Sequence, residues 1–150
     1  SYKKIANLDT LEPVYQIKDI MTKDVIYMDN KSTVEDVYNT IRSKKVHQIP
    51  ITAFGKKIIG IVNKKVILNL LMNDIENAQE ILKRKIEDIY LPEILTAEPE
   101  SDVRKVVQIM LDLKLDAIPI VDENDVLMGI VSKTDILKAV SHLPKLQLWS

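Results

Sequence analysis

The amino-acid sequence predicts an α/β protein built from two copies of a strand–helix–strand–strand–helix unit, and three observations predict it. The chain matches itself at one offset, both copies run through the same succession of apolar periods, and the composition is that of a folded globular chain. Residues 17–71 lie against residues 86–140 at a constant offset of 69, without a gap. The matches include Asp19/Asp88, Ile20/Ile89, Ser32/Ser101, Val34/Val103 and Val37/Val106. Ile49-Pro50-Ile51 then falls on Ile118-Pro119-Ile120, and Gly60-Ile61-Val62 on Gly129-Ile130-Val131. Lys64/Lys133 and Ile67-Leu68/Ile136-Leu137 complete the main pairs. Two unrelated helices can share a few apolar positions, but not an internal proline and an internal glycine at the same spacing as well. The chain is a repeat.

Each copy opens with a short apolar run suited to a strand, residues 25–28 and 94–97. A helix follows, because Val34, Val37, Tyr38 and Ile41 in one copy, and Val103, Val106, Val107 and Met110 in the other, recur at helical spacing. Ser32-Thr33-Val34-Glu35 has the capping-box pattern, with Ser32 accepting from first-turn amides and Glu35 reaching back. Two β-rich runs come next, residues 47–52 and 57–63, then 117–121 and 126–132. A second helix closes each copy, over residues 64–72 and 133–140. A repeat of about 55 residues buries little core alone, so the two copies are expected to pack sheet to sheet with pseudo-twofold symmetry. The organisation is an N-terminal extension (1–16), repeat 1 (17–72), a linking helix (73–85), repeat 2 (86–140) and an apolar tail (141–150). Ile75, Ala78, Ile81 and Leu82 give the linker its helical spacing. Leu8, Leu11 and Val14 form a weak stripe in the extension. Leu143, Leu146, Leu148 and Trp149 make the tail apolar enough to fold back onto the module or a partner subunit.

Composition excludes several functions. Apolar residues make up 46% and charged residues 29% of the 150, which is not a disordered composition. With 21 basic and 22 acidic residues the net charge is -1, too small a field to draw in a polyanion, so general nucleic-acid binding is not expected. The absence of cysteine removes disulfides and thiolate chemistry. His47 and His142 are the only histidines, and no Gly-rich phosphate loop or metal-ligand cluster stands out, so no catalytic or metal-ligating residues are expected. No apolar run approaches the roughly 20 residues that span a bilayer, and no signal-peptide core opens the chain. The expectation is a cytoplasmic protein without membrane insertion, or a cytoplasmic piece of something larger.

An opening Ile17-Lys18-Asp19-Ile20-Met21-Thr22-Lys23-Asp24-Val25, an apolar-Pro-apolar strand in each copy, and a closing Gly129-Ile130-Val131-Ser132-Lys133-Thr134-Asp135 together resemble the CBS domain (the cystathionine-beta-synthase repeat). The resemblance covers both copies and rests on order, spacing and duplication, since no one motif suffices. It implies a tandem regulatory module, non-catalytic and with no required cofactor, with two clefts between its repeats. Such clefts bind AMP, ADP, ATP or S-adenosylmethionine, and such modules associate in pairs. A homodimer and an effector protein of unknown identity are the implied partners.

The family's ribose-binding signature is Ser/Thr-x-x-Asp at the start of the second helix. A carboxylate can accept from vicinal ribose hydroxyls, and free amides at a helix N-terminus favour phosphate. Ser132-Lys133-Thr134-Asp135 keeps the signature, whereas the first copy reads Asn63-Lys64-Lys65-Val66. The same pattern also serves as a plain helix cap. Asn63 remains a good cap without the acid, so capping alone does not require Asp135. By the resemblance, the cleft of Asp135, with Ser132, Thr134 and Ile130, is completed by Val25, Ile26, Lys45, His47, Gln48, Ile49 and Pro50. The run from His47 to Pro50 resembles a His-Arg-Ile-Pro run of the family with Gln48 in place of the Arg, leaving His47 and Lys45 to carry charge toward a phosphate. Taken alone, His47 reads better as a surface histidine at a strand edge. The opposite cleft would set Val66 against Asp116 and Ala117, so one working site per chain is expected. The alternative function is a structural dimerisation module without ligand. Gly60 and Gly129 are expected to allow close backbone approach at the interface of the repeats.

Overall fold

The computed structural model describes residues 15–142. The stripe at Leu8, Leu11 and Val14 and the tail from Leu143 to Trp149 lie outside the described residues. The chain divides into two compact units. The first comprises Asp24–Thr96 with Val121–Leu127. Of the described residues, the second comprises 15–23, 97–120 and 128–142.

In the first unit, β1 (Met28–Asp29) pairs in parallel with β2 (Gln48–Ala53), which pairs antiparallel with β3 (Lys57–Asn63). Helices α1 (Val34–Lys44) and α2 (Lys64–Asn73) follow β1 and β3, and α3 (Ala78–Lys83) comes after them. The core is Val34, Val37 and Ile41 of α1, Ile49 and Ile51 of β2, Val62, Ile67 and Ile86. The three α1 residues show the 3–4 spacing that gave the helix away. The second unit has α4 (Val103–Asp112), β4 (Ala117–Val121) as far as Ile120, β5 (Leu127–Ser132) from Met128 onward, and α5 (Lys133–His142); β4 and β5 pair as a two-stranded sheet. Its core repeats the same positions: Val103, Val106, Met110, Ile118, Ile120 and Val131, with Ile17.

Three local expectations need correction. The cap of α1 is Thr33, not Ser32. The Thr33 side chain accepts from the Asp36 N–H (3.0 Å), and the Asp36 carboxylate accepts from the Thr33 N–H (3.2 Å). Ser32 is held outside the helix: its N–H donates to the Asp29 carbonyl (3.1 Å), and its own carbonyl accepts from the Ile86 N–H (2.8 Å). The opening strands are shorter than expected, because only Met28 and Asp29 find partners, at Ile51 and Thr52. In the other copy only Ala97 bridges, to Ile120. The linking segment is not one helix. A 3-10 turn (Ile75–Asn77) precedes α3, and the Asp74 carboxylate accepts from the Asn77 amide there (3.0 and 3.1 Å), a local bond that competes with helix continuation.

The opening segment of each repeat packs into the core carried by the other repeat's helices and strands. Ile17 is fully buried in the second unit, where its N–H donates to the Ser101 carbonyl (2.9 Å) and Lys18 N–H donates to the Pro99 carbonyl (2.9 Å). Ile86, its counterpart, is buried in the first unit, and Ile89 and Leu91 pack there as well.

Candidate functional site

In the second unit Thr22 and Ile130 form a two-bond antiparallel bridge, with Thr22 N–H donating at 2.9 Å and Ile130 N–H at 3.0 Å. Gly129 makes the approach possible, since a Cβ there would lie 2.8 Å from the Thr22 carbonyl oxygen and 2.9 Å from Met21 Sδ. The glycine therefore serves an opening segment inside its own unit. Gly60 does the same in the first unit, where a Cβ would lie 2.6 Å from Leu91 Cδ1.

The bridge brings Thr22 to the start of α5. Its hydroxyl donates to Asp135 Oδ1 at 2.7 Å. The Ser132 N–H (2.9 Å) and hydroxyl (3.1 Å) both donate to Asp135 Oδ2, and the Asp135 N–H donates back to Ser132 Oγ (3.2 Å). The capping role that the motif allowed is present, together with a bond to Thr22 that capping does not need. Each carboxylate oxygen has two acceptor sites, so Oδ2 is filled and Oδ1 keeps one. A hydroxyl-bearing ligand can use that site directly, and a second once an exposed hydroxyl such as Thr22 turns to water. Sequence reasoning missed Thr22. The available signal was the offset, which sets Thr22 against Leu91 just as it sets Asp135 against Val66.

In the first unit the Asn63 side chain caps α2 by accepting from the Val66 N–H (2.8 Å). Leu91 and Val66 stand where Thr22 and Asp135 stand in the second unit, and both pack against the core. Replacing both members of a polar pair with apolar groups leaves no unsatisfied atom behind. Asp116, considered for the opposite cleft, is ion-paired with Lys133 (3.0 Å) in the second unit, and both side chains are exposed.

The other expected site residues fall as follows. Ile130, Ser132, Thr134 and Asp135 belong to the second unit, with Thr134 exposed. Val25, Ile26, Lys45, His47, Gln48, Ile49 and Pro50 belong to the first. Lys45 and His47 are exposed, Gln48 half-buried and Pro50 buried. Ile49 has no exposed surface and serves the core. Lys45 ends α1 in the left-handed region (φ 55°), a conformation that costs a non-glycine residue roughly 1–2 kcal/mol. Lys114, at the matching position, has the same φ of 55°. Among the described residues no group of three or more His, Asp or Glu could hold a metal ion, and no helix is long and apolar enough to cross a membrane.

The CBS domain family model matches residues 17–73 and again residues 86–142. The chain belongs to the CBS domain family. Among similar proteins, uncharacterized protein MJ1225 of Methanocaldococcus jannaschii is 29% identical over 140 residues, covering 89% of this chain and 50% of that protein. A homoserine O-acetyltransferase of Methanohalophilus mahii is 30% identical over 120 residues, covering 80% of this chain and 23% of that enzyme. The chain thus spans half of the first relative and about a quarter of the second. The crystal structure of MJ1225 superposes with a TM-score of 0.77 at 27% identity, covering 91% of this chain and 51% of that one. CBSX2 in complex with AMP gives 0.76 at 21%, covering 87% and 98%. The CBS domain pair of protein MJ0100, in complex with 5′-methylthioadenosine and S-adenosyl-L-methionine, gives 0.69 at 22%, covering 86% and 98%. At these identities the two ligand complexes share the CBS-pair fold with this chain.

Proposed function

We propose that this CBS pair is a non-catalytic regulatory module that binds one adenosine nucleotide per chain, with Asp135 as the ribose anchor. The observation that carries the reading is the Asp135 carboxylate, oriented by Ser132 and Thr22 at the head of α5 with one acceptor site left on Oδ1. The first unit lacks both the acid and its hydroxyl partner at the matching positions, which supports a single site. The AMP complex of CBSX2 and the methylthioadenosine and S-adenosylmethionine complex of the MJ0100 pair support an adenosine-bearing ligand. The effector is a partner or a further part of the parent protein.

Calorimetry with AMP, ADP, ATP and S-adenosylmethionine tests the reading. Binding should be micromolar, about 8 kcal/mol, at one site per chain. Asp135→Ala removes charge-assisted bonds of roughly 1.5–3 kcal/mol, a loss of about tenfold or more in affinity. Its helix-cap share, about 1 kcal/mol of stability, is read separately from the melting curve. A 2′-deoxynucleotide should bind the parent more weakly than the ribonucleotide and differ little from it in Asp135→Asn. Unchanged ribonucleotide affinity in Asp135→Ala would reduce the residue to a cap.

Pairing of modules has support of its own. Leu68 and Leu137 occupy matching positions on α2 and α5 and are 59% and 67% exposed. Beside Leu68, a groove of about 540 Å³ runs between α1, α2 and α3 over Tyr38, Ile67, Leu71 and Leu82. We propose that these faces are covered in a homodimer. Sedimentation showing only a 17.2 kDa species at micromolar concentration would end that proposal.

A further inference from the structure

The first unit contains a second pocket, of about 460 Å³, between one face of α2 and the segment that runs from Arg84 to Pro92. Its volume lies within the roughly 300–1,000 Å³ of small-molecule sites, and its make-up follows the same pattern, an apolar floor with a few polar groups. Leu70, Ile89 and Pro92 line it, and Tyr90 stands at its side with 85% of its surface exposed. Arg84, Asp88 and the two amides Asn69 and Asn73 also line it. Among the described residues none of these four side chains makes a hydrogen bond or an ion pair. Arg84 and Asp88 flank one 3-10 turn (Ile86–Asp88), yet they are not paired with each other.

The matching residues of the second unit show how specific this arrangement is. Asp19, the counterpart of Asp88, is occupied at home, accepting from the Gln16 N–H at 3.2 Å. Tyr15 stands in place of Arg84, Lys138 in place of Asn69 and Met21 in place of Tyr90. Among the described residues, these matching positions of the second unit do not repeat the set of a guanidinium, a free carboxylate and an amide.

The geometry points to a site for a zwitterionic small molecule, an L-α-amino acid with an apolar or aromatic side chain, distinct from the Asp135 site. The Arg84 guanidinium matches a carboxylate in charge and in fork geometry. The Asp88 carboxylate matches an ammonium, and the amides of Asn69 and Asn73 supply donors and acceptors to either end. Leu70, Ile89, Pro92 and the Tyr90 ring receive the side chain. The two opposite charges exclude a simple anion such as phosphate, which Asp88 would repel, and a simple cation, which Arg84 would repel.

Calorimetry on the full chain with L-leucine, L-methionine and L-phenylalanine tests the site, each against its N-acetyl and its amide derivative. One amino acid should bind at one site per chain, and blocking either charged end should weaken it about tenfold or more. Arg84→Gln and Asp88→Asn should each do the same, and Asp135→Ala should leave it unchanged. Both side chains are exposed, so melting curves should match the parent, and should one variant misfold the other variant and the blocked ligands decide. No binding by any of the three amino acids at their solubility limits overturns the proposal. So does binding that survives both substitutions, or equal binding of the blocked forms. Nucleotide binding is read independently, so its failure would leave this outcome standing.

Discussion

Adding one methyl group at Gly129 should loosen the segment that carries Thr22. The new Cβ would sit 2.8 Å from the Thr22 carbonyl oxygen, a backbone atom held in place by the Ile130 N–H at 3.0 Å. Backbone cannot turn aside as a side-chain tip can, so the two strands must separate. Overpacking of this kind costs about 1–3 kcal/mol, and the two bridge bonds at stake contribute about 1 kcal/mol each. Gly129→Ala should therefore cost about 3–5 kcal/mol if both bonds are lost. Gly60→Ala is the internal control. Its tightest neighbour is Leu91 Cδ1, at 2.6 Å, the far end of a flexible side chain. A rotamer change relieves most of that clash for about 0.5–1.5 kcal/mol. Urea unfolding of both variants, with hydrogen exchange at the Ile130 amide as the local reading, makes the comparison. If Gly60→Ala costs as much as Gly129→Ala, or Gly129→Ala stays within about 0.5 kcal/mol of the parent, the steric reasoning is wrong.

Val66→Asp alone should open little binding in the first unit, because its carboxylate would meet Leu91 where Asp135 meets Thr22. Val66→Asp with Leu91→Thr should raise the calorimetric stoichiometry for an adenosine nucleotide toward two, and a value of one would show that other residues silence that site. Asp102 caps α4, accepting from the Arg104 N–H at 2.9 Å and from its guanidinium at 3.1 Å. Burial pushes its carboxyl up, but the bonds from Arg104, with the charges of Arg104 and Lys105, together hold it below the ordinary carboxylate range. A depressed folded value means that stability is present above the unfolded value and is lost as pH falls through the folded one. Asp102→Asn should therefore flatten the acid limb of the stability profile below about pH 4 while leaving the neutral-to-basic slope alone; an unchanged acid limb counts against this assignment.

Much of the fold was legible because the repeat doubled every signal. Val34, Val37 and Ile41, and their partners 69 residues on, carry a helical period strong enough to survive local variation, and all but Met110 are simple aliphatic core residues. The Asp135 motif was legible for the same reason, since the degenerate copy showed what capping alone requires. What failed was local and competitive. Thr33 displaced Ser32 as the cap because Ser32 is bonded into a turn through the Ile86 N–H, a residue 54 positions away. The opening strands shrank because pairing depends on a neighbour's ladder, which the strand's own residues do not encode.

The sequence by itself determined the repeat, the order of elements within each copy, the apolar faces of their first helices and the intact acid, because each is written in spacing along one stretch of chain. The tertiary structure alone decided which core each opening segment joins. It set Ile17 and Thr22 among the residues of the second repeat, and Ile86 and Leu91 among those of the first. The physical reason is that the backbone groups of an opening segment need a partner edge, and nothing in the apolar pattern of residues 17–23 names that edge. Thr22 meets Asp135 only because Gly129, 107 residues beyond it, leaves room for the Thr22 carbonyl beside β5. That contact lies 113 positions apart in the chain, and only folding brings it to 2.7 Å.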